Sequence, residues 1–68
     1  MTQDQAHKLR SLARVLRTMQ GDLTDFSKGF SDLSETGQKL SAMVTLASSA
    51  AFFCEEMAEQ HEQMKEKV

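Results

Sequence analysis

From Leu9 onward the apolar residues recur at alternating intervals of three and four: Leu9, Leu12, Leu16, Met19, Leu23, Phe26, Phe30 and Leu33. The rhythm continues through Gly37, Leu40, Val44, Ala47, Ala51, Cys54 and Ala58. Such spacing lines one stripe of an α-helix and is the heptad pattern of helices packed at shallow angles. The period of two that a half-buried strand requires explains none of it, so the fold class is all-α. At the start, Thr2 and Gln5 form a capping-box pattern, and Asp4 stands where a helix dipole favours an anion.

Three glycines interrupt the pattern. Gly21 and Gly29 lie off the apolar stripe and read as tolerated inside a helix, each costing about 1 kcal/mol against Ala. Gly37 falls on the stripe and follows the polar run Ser34-Glu35-Thr36, which marks it as the turn, with Gly in the left-handed conformation after a helix C-terminus.

Charge points to the same place. Lys8, Arg10, Arg14 and Arg17 make the first half basic, whereas Glu55, Glu56, Glu59, Glu62 and Glu66 make the last part acidic. In one continuous helix both clusters oppose the macrodipole. Folded back, Arg17 lies level with Glu56, Arg14 with Glu59, and Arg10 with Glu62 or Gln63, a register that pivots between Thr36 and Gly37. The expected fold is therefore an antiparallel helical hairpin, with helices about 3–35 and 38–66 in a single domain 1–68, assembling into a four-helix bundle. The alternative is a long antiparallel coiled-coil dimer of unbroken helices, each about 100 Å long, which gives the same pairings.

The second helix carries more apolar positions than a hairpin needs. Its small stripe of Val44, Ala47, Ala51, Cys54 and Ala58 complements the bulky stripe of the first helix. Beside it runs a second series: Met43, Leu46, Ala50, Phe53, Met57, then Gln60 and Met64. One partner helix cannot cover both. Met43, Leu46, Ala50, Phe53, Met57 and Met64 are thus the candidate partner or oligomer interface, and methionine suits it because it repacks easily around different partners. Phe52 sits at the margin of either surface. Serines recur every seven residues at Ser27, Ser34, Ser41 and Ser48, which fits either close approach of another helix or a solvated flank.

Composition bounds the rest. Sixty-eight residues support only a marginal core, and the lone Cys54 excludes an internal disulfide, leaving oligomerisation or partner binding as the route to stability. The formal net charge of −2 argues against nucleic acid as a partner. The uncharged stretch Leu40–Cys54 is 15 residues long and contains Ser41, Thr45, Ser48 and Ser49, too short and too polar for a membrane span. A polar N-terminus without an apolar segment and a single thiol fit a cytoplasmic setting.

Catalytic signatures are not found. His7 and His61 lie far apart in sequence and form no Glu-x-x-His ligand pair; His61 reads as a partly buried structural residue. Cys54 lies among Ala and Phe, where burial makes a thiol inert. No Gly-rich phosphate loop or nucleophile–base arrangement is present, so neither enzymatic activity nor a cofactor or metal is expected.

One short segment has a counterpart elsewhere. Residues 4–10, Asp4-Gln5-Ala6-His7-Lys8-Leu9-Arg10, resemble the DQAxxLR element at the N-terminus of the MinD-like ATPases that control flagellar number. In that family the element is a short helix that stimulates a signal-recognition-type GTPase. The resemblance implies a partner-binding role for Asp4, Gln5, Ala6, Leu9 and Arg10; no Walker motif follows, so it does not extend to the ATPase.

The functional expectation is a non-enzymatic protein–protein interaction module, an adaptor, small chaperone or regulator. It acts by helix–helix packing on itself, as a homodimer or higher oligomer, on an amphipathic helix of another protein, or on both. The alternatives are a purely structural homo-oligomer and the GTPase-stimulating element.

Overall fold

A computed structural model describes the backbone of residues 1–66 and the side chains of residues 1–63. Two helices account for most of it: α1, Gln3–Ser27, and α2, Glu35–Glu66. They pack against each other antiparallel, a helical hairpin with no strand among the described residues. Its longest Cα dimension is 52 Å, about half of what one unbroken helix of this length spans. The long coiled-coil alternative is therefore not the fold of this chain.

The N-terminal cap forms as its sequence pattern dictates. The Thr2 hydroxyl accepts from the Gln5 amide at 3.2 Å, and the Thr2 amide donates to Gln5 Oε1 at 2.9 Å. Each satisfies a backbone or side-chain group that a bare helix end leaves open.

The turn lies earlier than the glycine on the apolar stripe suggests. After Ser27 the helix tightens into i→i−3 hydrogen bonds, from the Lys28, Gly29 and Phe30 amides to the Asp25, Phe26 and Ser27 carbonyls at 3.3, 3.2 and 3.0 Å. The chain reverses over 31–34, so Gly29 belongs to the connection and not to a helix interior. Ser34 then starts α2: its Oγ accepts from the Gly37 amide at 2.9 Å, and its carbonyl accepts from the Gln38 amide at 3.0 Å. The polar run Ser34-Glu35-Thr36 is a helix start, with a serine cap and an anion in the first turn.

Gly37 is consequently helical, and no glycine here has a positive φ. Its smallness serves a close approach. A Cβ at this position would overlap the Ser31 carbonyl oxygen and stand 3.0 Å from Ser34 Oγ. Gly21 lies inside α1 with open space around it, as a tolerated helical glycine should.

The contact between the helices is built from the smallest side chains. Ala6 and Ala13 of α1 and Ala47, Ala51 and Ala58 of α2 are buried, with Leu40 and Gly37 closing the turn end. Leu9, Leu16 and Leu23 of α1 and Val44, Cys54 and His61 of α2 border them half-buried. The α2 stripe is the expected one. The α1 stripe is not: Leu12, Met19, Phe26 and Leu33, expected to face α2, are exposed, Leu33 to 89%. Alanines on both surfaces let the axes come close, and a seam rotated toward Ala6 and Ala13 allows that where one of leucines and phenylalanines does not. Cys54, expected to be enclosed, is half-buried at the edge of the same seam. His61 is partly buried there, as anticipated.

Candidate functional site

Successive residues in an α-helix turn by about 100°, so residues seven apart form nearly straight rows. On α1, Leu12, Met19 and Phe26 make one such row, displaced by about a quarter turn from the buried row of Ala6 and Ala13. On α2, Met43, Ala50 and Met57 make another, flanked by Leu46 and Phe53. Rotating in the same sense from the contact line of two antiparallel helices leads to the same side of the pair. The two apolar rows therefore share one face of the hairpin.

Side-chain positions bear this out. At the end near the N-terminus, Leu9 and Leu12 of α1, together with Met1, line a shallow apolar hollow with Met57 of α2. Further along, Met19, Leu23 and Phe26 line a second hollow on α1. The large residues on this face are open to solvent: Leu46 is 69% exposed, Phe26 61%, Phe53 58% and Leu12 54%. Of the six interface residues read from the sequence, Met43, Leu46, Phe53 and Met57 are exposed and Ala50 is half-buried. The side chain of Met64 lies outside the described residues. Sequence reasoning missed the contribution of Leu12, Met19 and Phe26, which it had assigned to the interior. The seven-residue repeat Ala6, Ala13, Gln20, Ser27 was the signal that another row faces α2.

Rotation in the opposite sense leads to the charged face. Here Arg10, Arg14 and Arg17 confront Glu55, Glu59 and Glu62 across a shallow groove. Arg10 pairs with Glu62 at 2.7 Å as expected, and Arg17 pairs with Glu55 at 2.7 Å, one residue short of the expected Glu56. Arg14 and Glu59 share the groove without a bond within 4.0 Å. These pairs are a third to a half exposed, so water screens them and each contributes about 0–1 kcal/mol. Phe52 lies on this side, near Arg17, Glu55 and Glu59, with its ring edge toward Phe53 at 5.9 Å between centroids.

The serines seven apart divide by role. The Ser27 hydroxyl donates to the Thr24 carbonyl at 2.7 Å, and Ser34 Oγ donates to Ser31 O at 2.7 Å while capping α2. Both serve the turn. Ser41 is exposed and Ser48 half-buried.

The segment 4–10 is not one free surface. Asp4 is exposed in the first turn, Gln5 is committed to the cap, and Ala6 is fully enclosed. Leu9 is half-buried beside the apolar hollow, and Arg10 is bonded to Glu62.

Among the described residues no group of three or more His, Cys, Asp or Glu side chains is placed to hold a metal ion. No described helix is long and apolar enough to cross a membrane. No family model, no curated protein and no solved structure matches the chain.

Proposed function

We propose that this chain is a non-enzymatic helical interaction module, an adaptor, small chaperone or regulator, whose apolar face packs against helices of a protein partner. The observation that carries the reading is the distribution of its large apolar side chains. Among the described residues no large side chain is fully buried within the hairpin, whereas Leu12, Met19, Phe26, Leu46, Phe53 and Met57 stand exposed on one side of it. A contiguous apolar patch of this kind marks an interaction surface, because its exposure to water is unfavourable in proportion to its area. The unbranched Met19, Met43 and Met57 give that surface a deformable texture. The single thiol supports action in a reducing, cytoplasmic setting.

Site-specific photo-crosslinking in cells tests the reading. A photoreactive residue at Phe53 is expected to capture protein efficiently, and one at Arg14 on the charged face to capture little. Equal capture at both positions, or none at Phe53, overturns it.

A further inference from the structure

The apolar face is wider than one helix can cover. Met43 and Met57 border the groove between α1 and α2, but Leu46, Phe53 and Phe26 lie farther round, on the crests of their helices. An added helix about 10 Å across that settles in the groove leaves these crests in water. They are among the most exposed large residues of the two helices. A layer two helices wide is needed.

The dimensions agree. The Cα atoms of the hairpin extend 52 × 15 Å across this face, a footprint of about 800 Å², which is what each partner of a standard stable interface contributes. The ends of the face are also complementary. Near the N-terminus Leu9, Leu12 and Met57 surround a hollow, and toward the turn the exposed Phe26 ring walls a second one with Met19 and Leu23. A two-fold axis that crosses the helices at right angles, between two stacked hairpins, brings the Phe26 ring of each over the Leu12 hollow of the other. By the level set by the Arg17–Glu55 pair, that axis passes near Met19 and Phe53, midway between Leu12 and Phe26. The Arg–Glu faces then point outward on both sides, and no like charges are forced together.

We infer that the occupant of the apolar face is a second copy of this chain, stacked face to face and antiparallel into a two-layer, four-helix dimer with its axis near Met19 and Phe53. This rests on the reading of that face as an interaction surface and names its partner.

The test combines mass and geometry in solution. Light scattering on the intact chain should give twice the 7.6 kDa chain mass. A spin label at the exposed Gln3, placed through Gln3→Cys in a Cys54→Ser background, reports one label from each copy. With the axis at Met19 each label stands 16 residues from it, so the antiparallel stack puts the two labels about 48 Å apart along the helices at 1.5 Å per residue, near opposite ends of the 52 Å assembly. Leu46→Glu with Phe53→Glu should weaken association on the order of 100-fold or more, and Arg14→Glu should change it less than about tenfold. Should the double variant unfold, the label distance in the chain that keeps both residues decides. A label pair under about 30 Å apart means turns at one end, since that spacing is three helix diameters, and overturns the antiparallel stack.

A helical monomer whose Phe53 photo-crosslinks go to a different protein overturns the second copy while leaving the interaction reading intact. A dimer broken by Arg14→Glu and indifferent to Leu46→Glu and Phe53→Glu overturns both.

Discussion

Between α1 and α2 the chain places alanine; a quarter turn away, on the same two helices, it places leucine, methionine and phenylalanine. The seam of Ala6, Ala13, Ala51 and Ala58 is almost closed to water, yet each methyl contributes little transfer free energy. The neighbouring face holds Leu12, Met19, Phe26, Leu46, Phe53 and Met57 and leaves them uncovered. Geometry and driving force are thus separated. The seam sets how closely the helices lie, and the face supplies the free energy that becomes available only on association. A hairpin of this size with an alanine core is marginal alone, which links its folding to its binding.

That separation is open to attack from each side, most severely on the face. Replacing Phe53 and Met57 together by Ala is expected to weaken assembly by about 2–5 kcal/mol for each side chain that the assembly encloses. Helicity followed by circular dichroism should recover as concentration rises. A loss of helicity independent of concentration would place these residues in the monomer's own core and erase the distinction.

The seam responds to added bulk instead. Ala51→Leu inserts three carbons where there is no accessible surface, and should cost about 1–3 kcal/mol through strain between the helices. Chemical denaturation at fixed concentration reads this directly. A stabilised Ala51→Leu protein would mean that the helices separate freely and that the small residues set nothing.

Two smaller changes sharpen the contrast by touching neither region. Thr2→Ala removes the cap of α1 and should lower stability by about 1 kcal/mol, visible as a modest drop in denaturation midpoint. Arg17→Ala removes the exposed pair with Glu55 and should cost only about 0–1 kcal/mol, diminishing further in high salt. A larger effect from Arg17 would assign the charged face a structural weight that its exposure does not predict.

Much of this architecture was legible in the residues. The 3-4 spacing gave two helices, and the opposed arginines and glutamates gave their antiparallel register to within one residue at Arg17. The stripe Val44, Ala47, Ala51, Cys54 and Ala58 faces the seam as read, and the second stripe from Met43 to Met57 is exposed or half-buried as its position implies.

Two features were hidden for identifiable reasons. Ser-Glu-Thr-Gly occurs both after helices and at their starts; only the hydrogen bond from the Gly37 amide to Ser34 Oγ distinguishes a cap from a stop. In α1, Leu9, Leu16 and Leu23 border two adjacent rows, one containing Ala6 and Ala13 and the other Leu12, Met19 and Phe26. Hydrophobicity favours the second row and close packing selects the first. A count of apolar residues cannot weigh approach distance, so by itself it points to the bulkier row as the interior.

The charged face has a consequence for sliding. Heptad packing repeats every seven residues, so a hairpin displaced by two turns presents similar rows to its partner helix. Arg10 and Arg17 are seven apart, as are Glu55 and Glu62, and both pairs close only in the register observed. Slid by seven residues so that Arg10 meets Glu55, Arg17 meets Ser48 and only one of the two pairs survives. At the far end the Ser31 carbonyl packs directly on Gly37, a contact that a slide of the helices would break. Pairs of small individual worth thereby act as a ratchet stop, making a slipped hairpin a distinguishable and less favourable state.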